Sequence, residues 1–402
     1  VAKNKEEQPQ AAKPTITFGY FKQEVEKNEE GVRAMLAPEI GNPRANLSGS
    51  YNLDYDLVIP FPEGRITEVF GEEGTCKTTL TLEVAGRALQ AGKTVLYVNM
   101  EKNLNLSLMQ TVRTLRPFLE RAIENMEAVA ANKKAPHAEC PFWIVNASNG
   151  EQAFETIRKF ASMVPGGIAI LDSIDASQPS AVLAGVIGEN KVGNLSKLIS
   201  DAMRKLIDVA EMNKVALIFV NQVRDKITMY GDPMTTSGGR GLPFYASQRI
   251  KLQKPGKAQM IVDASGEKIG VLIRYKVVKN KVAPDGSEGE FPILFHNGVF
   301  REQELVSKCC HFGVLKMGGK GGSQVYMPKL DRDTGEFVMK PKTKKDDKDE
   351  LDTTSMSQFN AARRLLIDSA LREKLDRELQ KILPSAKRDP VDGMTDEIQD
   401  TE

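Results

Sequence analysis

Between residues 65 and 221, short apolar runs alternate with longer segments whose apolar positions recur every three or four residues. The short runs are RITEVF (65–70), TVLYVN (94–99), FWIVN (142–146), GIAILD (167–172) and VALIFVN (215–221). The longer ones are TLTLEVAGRALQ (79–90), a helical stretch after 101, EQAFETIRKFASM (151–163) and NLSKLISDAMRKLIDVAEM (194–212). Strand-length runs separated by amphipathic helices predict an α/β fold with a mostly parallel central sheet and crossover helices. VALIFV and AILD lack polar alternation, as strands covered on both faces do. After residue 244 the alternation stops. RIKLQ, QMIVDA, VLIRYKVVKNKV and FPILFH read as further strands with few helices between them. Beyond 306 a Gly-rich turn (MGGKGGS), a weak strand (VYMP) and a mixed-charge stretch precede QFNAARRLLIDSALREKLDRELQKIL. There Leu365, Leu366, Leu371, Leu375, Leu379 and Ile382 keep helical spacing.

These shifts divide the chain. Residues 1–45 form an N-terminal arm with one helix candidate at 21–36. Residues 46–306 form the core, 307–385 a small C-terminal α/β domain, and 386–402 an acidic tail. No internal repeat is evident. The net charge of +1 does not by itself suggest nucleic acid, so any such surface must be a local concentration of Lys and Arg. No apolar run approaches the roughly 18 residues of a membrane span, and the polar start carries no hydrophobic signal core. The four cysteines (Cys76, Cys140, Cys309, Cys310) have neither disulfide nor zinc spacing, and a reducing, cytoplasmic setting fits them.

The stretch GEEGTCKTT supplies Gly71, Glu72, Glu73, Gly74, Thr75, Cys76, Lys77, Thr78 and Thr79. It is the phosphate-loop pattern G-x-x-x-x-G-K-[ST] with one departure, Cys76 in place of the second glycine. Strand before and helix after satisfy the required context. Such a loop works by aiming successive backbone N–H groups at phosphate oxygens. Lys77 would reach the β and γ phosphates of ATP, and the Thr78 hydroxyl would ligate Mg2+. If position 76 requires positive φ, its Cβ costs about 1–2 kcal/mol; if it is already helical, a small thiol fits. Two readings of the thiol stay open: a reactive group with a pKa lowered by the helix N-terminus and Lys77, or an inert small residue.

Asp172 ends a buried strand 95 residues after Lys77, as a carboxylate near Mg2+ through water should. Glu101 lies at the end of TVLYVNME, where a carboxylate could orient and deprotonate an attacking water; a helix-start acid is the other reading. Asn221 and Gln222 end VALIFVNQ, and a neutral amide there can sense a γ-phosphate. The long polar segment 223–240 that follows is of a length that is usually functional or disordered.

NQVRDKITMYGDPMTTSGGRGLPFYASQRIKL, RYKVVKNKVAP, AMRKL and the IG of VIGEN resemble the bacterial RecA recombinases, closely from about 47 to 306 and weakly outside. The resemblance implies a RecA-type P-loop ATPase core. It also implies that Lys77, Thr78 and Asp172 serve nucleotide and magnesium, that Glu101 is the catalytic glutamate, and that Gln222 couples the γ-phosphate to DNA binding. Lys279 and Lys281 match lysines that reach the ATP of a neighbouring subunit, which implies a helical filament. Two loops would hold DNA. The first covers about 185–192, with Val192, followed by a helix carrying Lys197, Ser200 and Arg204; Lys197 and Arg204 lie seven apart and share a face. The second covers 223–240, with Arg224, Ile227 as a wedge between base triplets, Ser237, Gly238, Gly239 and Arg240. Lys197 alone reads better as solvated surface, whereas the glycines of the second loop do not.

The departures are Cys76, a second loop one residue shorter, Met234, Arg240 and Pro243 replacing Glu, Asn and Lys, Val192 replacing Met, and an insertion near 125–139. The expected function is a DNA-dependent ATPase that polymerises on single-stranded DNA and exchanges strands with double-stranded DNA. A hexameric helicase-type motor and a non-hydrolysing single-strand coat are the rivals.

Overall fold

The computed structural model describes residues 22–23, 25–27, 41–185, 193–225, 234–254, 260–263, 265–319, 323–339 and 351–382, without the side chains of 224–225 and 234–235. The chain forms two compact units, Val1–Pro43 and Arg44–Glu402. In the first, 22–23 and 25–27 are helical, and Lys22 lies 4.0 Å from Glu26 one turn on. Val192, Ile227 and the acidic tail lie outside the described residues.

The second unit is built on a large mixed sheet. Its strands are β1 (Ile66–Gly71), β2 (Val95–Asn99), β3 (Phe142–Val145), β4 (Ile168–Asp172), β5 (Ala216–Asp225), β6 (Met234–Thr236), β7 (Gln248–Gln253), β8 (Met260–Val262), β9 (Lys268–Asn280), β10 (Glu288–Leu294) and β11 (Gly298–Val299). Their order is β11-β10-β9-β7-β1-β5-β4-β2-β3, with β6 beside β5 and β8 beside β9. From β7 to β3 every pairing is parallel; β9, β10 and β11 continue antiparallel. This is the expected α/β fold with a mostly parallel central sheet. The switch in pairing falls where the helix-poor sequence after 244 begins.

Every residue of β1, β2 and β4 is buried, which explains their unbroken apolar letters. Alternate residues feed two cores. Val69, Val95, Ile168 and Ile170 pack with Leu80 and Val84 of the helix Lys77–Gln90. On the other face Leu96, Val98 and Leu171 pack with Phe154 and Ile157 of Gly150–Met163 and with Ile199 and Met203 of Asn194–Asn213. Truncating such a residue to alanine costs about 2–5 kcal/mol.

The register sets the strand tips side by side. Gly71 pairs with Gln222 and Asn99 with Asp172. All lie at the carboxyl edge of the parallel strands, where this class of sheet binds ligands. The expected loop 223–240 is shorter than its sequence suggested. Val223 pairs with Thr236 and Asp225 with Met234, so β5 and β6 form an antiparallel ribbon. Val223, Thr235 and Thr236 are β-branched and favour extended backbone.

Strands β12 (Lys316–Gly318), β13 (Gln324–Pro328) and β14 (Thr353–Ser357) make a separate antiparallel sheet. A third core joins Val325 and Met327 to Leu305, Leu365, Leu371, Leu375 and Leu379. The apolar period at 358–383 continues across a break: the helices are Gln358–Ile367 and Ser369–Ile382. Asp368 interrupts them because its carboxylate accepts from the Leu371 N–H at 3.1 Å, the bond of a helix N-cap. Ile382 remains half exposed.

Candidate nucleotide and DNA site

The tight turn after β1 depends on its first glycine, where a Cβ would lie 2.3 Å from the Leu252 carbonyl. Glu72, Glu73 and Gly74 are exposed, and Thr75 is buried with its hydroxyl donating to the Glu72 carbonyl at 2.8 Å. Cys76 precedes the helix Lys77–Gln90 with φ 58° and ψ 31°, so the left-handed branch of the expectation is the one realised. Its side chain packs against the apolar core, and burial pushes the thiol pKa up, with Lys77 only partly opposing. The lowered thiol pKa expected for Cys76 is therefore corrected to a raised one: withdrawal from water outweighs the lysine charge.

The Lys77 ammonium donates to the carbonyls of Gly71 (3.0 Å) and Glu72 (2.7 Å), folding back over the loop. Burial lowers its pKa, against the pull of Asp172 and Glu101. The Thr78 hydroxyl donates to Asp172 Oδ2 at 2.7 Å, and so does the Tyr97 hydroxyl, also at 2.7 Å. Burial raises the Asp172 pKa despite these two donors. A hydroxyl and a carboxylate in contact are a donor set suited to a hard divalent cation, so the residues fit Mg2+. A cation would draw the Asp172 pKa down and a triphosphate would draw that of Lys77 up. Thr79 is half-buried in the first turn.

Glu101 is exposed beside this pair. Its Oε1 accepts from Ser173 Oγ at 2.5 Å and from Gln222 Nε2 at 3.4 Å; its Oε2 accepts from Asn103 Nδ2 at 3.0 Å. The structure thus brings Lys77, Thr78, Asp172, Glu101 and Gln222 together. It also adds groups the sequence reading passed over. Glu68, fully buried within β1, accepts from Asn221 Nδ2 at 2.9 Å and Arg249 Nε at 2.5 Å. Asn221 also donates to the Ser237 carbonyl at 3.0 Å, and Ser237 Oγ donates to Asp175 at 2.5 Å. A polar letter within an apolar strand (Glu68 in RITEVF, Tyr97 in TVLYVN) was the available signal.

Lys279 and Lys281 lie elsewhere. Lys279 pairs with Arg249 and Arg249 with Glu68, so the end of β9 sits at the amino edge of β1, away from the chain's own phosphate loop. Lys279 Nζ donates to the carbonyls of Pro243 and Phe244 at 2.8 and 3.0 Å. On the helix Asn194–Asn213, Lys197 and Arg204 are exposed, Arg204 lies 3.6 Å from Asp201, and Ser200 Oγ donates to the Ser196 carbonyl. Ser237 and Gly238 are buried, whereas Gly239 and Arg240 are exposed. Gly238 needs its glycine: φ is 87° and a Cβ would meet Ile199 at 2.1 Å. Arg224 lies in β5.

A model of the RecA N-terminal domain family matches residues 38–113 and 138–300. The chain belongs to the RecA family. It is 34% identical over 274 residues to Protein RecA of Bacteroides thetaiotaomicron, covering 68% of this chain and 75% of that one. Identity to Protein RecA of Thermus aquaticus is also 34% over 274 residues, covering 68% and 73%. A crystal structure of the RadB recombinase overlaps 63% of this chain and 98% of its own at a TM-score of 0.44 and 20% identity. The RecA family makes the core a P-loop ATPase with a RecA-like recombination function. The family match skips 114–137, which overlaps the expected insertion at 125–139 and starts earlier. It holds the helix Arg116–Ala130, where Asn125 is tied to the backbone of His137.

Proposed function

We propose that this RecA-family chain is a DNA-dependent ATPase that forms helical filaments on single-stranded DNA and catalyses homologous pairing and strand exchange with a duplex. The reading assigns Gly71 to Thr79 to the triphosphate, Thr78 and Asp172 to Mg2+, and Glu101 to the attacking water. Bound Mg2+ supplies charge neutralisation at the phosphates. Lys77 exchanges the carbonyls of Gly71 and Glu72 for phosphate oxygens. Glu101, held by Ser173 and Asn103, accepts the proton of the water, and Gln222 senses the γ-phosphate. Lys279 and Lys281 reach the nucleotide of an adjacent protomer, which their place at the far edge of β1 supports. Lys197, Ser200, Arg204, Arg224, Ser237, Gly238, Gly239 and Arg240, with Val192 and Ile227, contact DNA. Residues 1–45 serve protomer contact, 46–306 catalysis and DNA binding, 307–385 form the small domain and 386–402 the acidic tail. Four free thiols suit a reducing cytoplasm.

One observation carries the coupling: Gln222 touches Glu101 at 3.4 Å, and the next residue starts the ribbon that carries the second loop. Loss of the γ-phosphate can therefore be felt by the loop through one strand. The test is steady-state ATP hydrolysis with and without single-stranded DNA. We expect stimulation of about 100-fold or more, as ordering of the site by DNA should contribute no less than one positioned catalytic group; equal rates with and without DNA would refute the coupling.

A further inference from the structure

Strand β2 is buried throughout and flanked by β3 and β4. Tyr97 stands at its centre, opposite Ile144 and Ile170, at 0% exposure. Its ring meets Phe142 edge-on at 6.3 Å between centroids, so the ring is fixed by packing. Phenylalanine would fill nearly the same space without the cost of burying a hydroxyl, about 1–3 kcal/mol when unpartnered. The hydroxyl meets the Thr81 side chain and donates to Asp172 Oδ2 at 2.7 Å. Thr78 donates to the same oxygen, also at 2.7 Å.

The two donors differ in what they are attached to. Thr78 belongs to the phosphate loop and first helical turn, which answer to nucleotide. Tyr97 belongs to the rigid sheet. We infer that Tyr97 is a positioning residue for the cation-bearing carboxylate, fixing Asp172 to the sheet through Oδ2 so that its orientation does not depend on the state of the phosphate loop. The Thr78 hydroxyl can then offer lone pairs to the cation while its proton stays on Asp172. With Oδ2 held, the carboxylate cannot swing about its Cβ–Cγ bond, and the site is preorganised before metal arrives. Groups that orient a ligand in this way are worth about 10–100-fold in metal affinity.

The inference rests on the nucleotide reading above, and its test separates the two. Binding of a fluorescent ATP analogue is titrated with Mg2+ for the wild-type chain and Tyr97→Phe, with nucleotide affinity in excess chelator and the melting temperature measured alongside. Expected is an Mg2+ midpoint raised about 10-fold in Tyr97→Phe, with metal-free nucleotide affinity unchanged. A packing role alone would move the melting temperature or both affinities and leave the midpoint in place; that result overturns the inference while the nucleotide site stands. Wild-type chain that binds no nucleotide at any Mg2+ concentration sinks both. If Tyr97→Phe does not fold, 3-fluorotyrosine at position 97 replaces it: a fluorine resonance that shifts on adding Mg2+ and nucleotide, and does not shift in Asp172→Asn, supports the role. An unmoved resonance overturns it.

Discussion

Two buried carboxylates organise this molecule, and they are completed in different ways. Asp172 takes its donors from side chains, Thr78 and Tyr97, one of which sits on the phosphate loop. Glu304 is completed from within: it accepts from Ser50 Oγ at 2.8 Å and from the backbone N–H groups of Tyr51 and Asn52 at 3.1 and 3.2 Å. Those groups begin the helix Tyr51–Leu57, whose positive end also favours the anion. Around Glu304 most charges are paired, although Glu302 Oε2 and Asp54 Oδ2 accept no hydrogen bond. Arg301 stacks over Tyr51 and lies 3.8 Å from Asp376; Glu302 takes Arg113 at 2.6 Å and Arg372 at 3.3 Å. A cavity of about 470 Å3 there is lined by Arg87, Arg113, Arg301 and Arg372, yet each of the four has an acidic partner. The difference separates a binding site from structural charge. One set of polar groups gathers at the phosphate loop beside the exposed Glu101, whereas the other is closed by partners within the fold except at oxygens such as Glu302 Oε2.

The comparison breaks most sharply on catalysis. Glu101→Gln should lower ATP hydrolysis by about 100-fold or more, the usual worth of a positioned general base, while nucleotide binding and melting temperature stay put. Both readouts come from one preparation. A variant that hydrolyses at the wild-type rate removes Glu101 from the mechanism and makes the helix-start reading the correct one.

At the other carboxylate the effect should fall on stability alone. Glu304→Ala leaves two backbone donors and a hydroxyl unmatched beside Arg301, at a cost of about 3–5 kcal/mol, with nucleotide affinity unaltered. A denaturant midpoint checks the first half and an ATP-analogue titration the second. Burial raises the Glu304 pKa to about 7, over the opposing hydrogen bonds from Ser50 and Asn52 and the charge of Arg301. The folded state then holds this proton more tightly than the unfolded chain does. Its contribution is fully present below the unfolded value of about 4.3, fades as pH rises towards about 7, and is gone above it. Unfolding midpoints that decline over this window, and a flatter profile in Glu304→Gln, are expected. Should the two profiles coincide, hydrogen bonding to the anion balances burial.

The two regions were unequally legible. The parallel sheet could be read because unbroken apolar runs such as AILD mark strands covered on both faces. The candidate site could be assembled from the sequence because such chemistry demands fixed spacing: loop, lysine and threonine in one turn, and an acid ending a later buried strand, β4. Tyr97 and Glu68 escaped because a lone polar letter in a strand does not say what it faces; only register places Tyr97 beside Asp172. The Glu304 hub escaped for the related reason that its partners lie at Ser50 to Asn52, some 250 residues earlier in the chain. At 358–383 the leucine period carried through a helix break, since both helices bury the same face and the capping role of Asp368 has no apolar signature.

The smallest expected effect lies at the position where the sequence left two branches open. Cys76 holds φ 58°, a conformation glycine adopts freely and a Cβ resists at about 1–2 kcal/mol. Against this stands the thiol's packing on the core around Leu80, which glycine would forfeit. A half-buried sulfhydryl is small, so about half of the strain should survive as a net gain. Cys76→Gly is thus expected to stabilise the chain by about 0.5–1 kcal/mol and to leave Lys77 and Thr78 where they are. Chemical denaturation measures the gain, and Mg2+-dependent nucleotide binding measures whether the cradle moved. A loss of stability would mean that packing of the thiol, not backbone strain, dominates this turn; unaltered binding alongside it would still assign the cradle to main chain and Lys77.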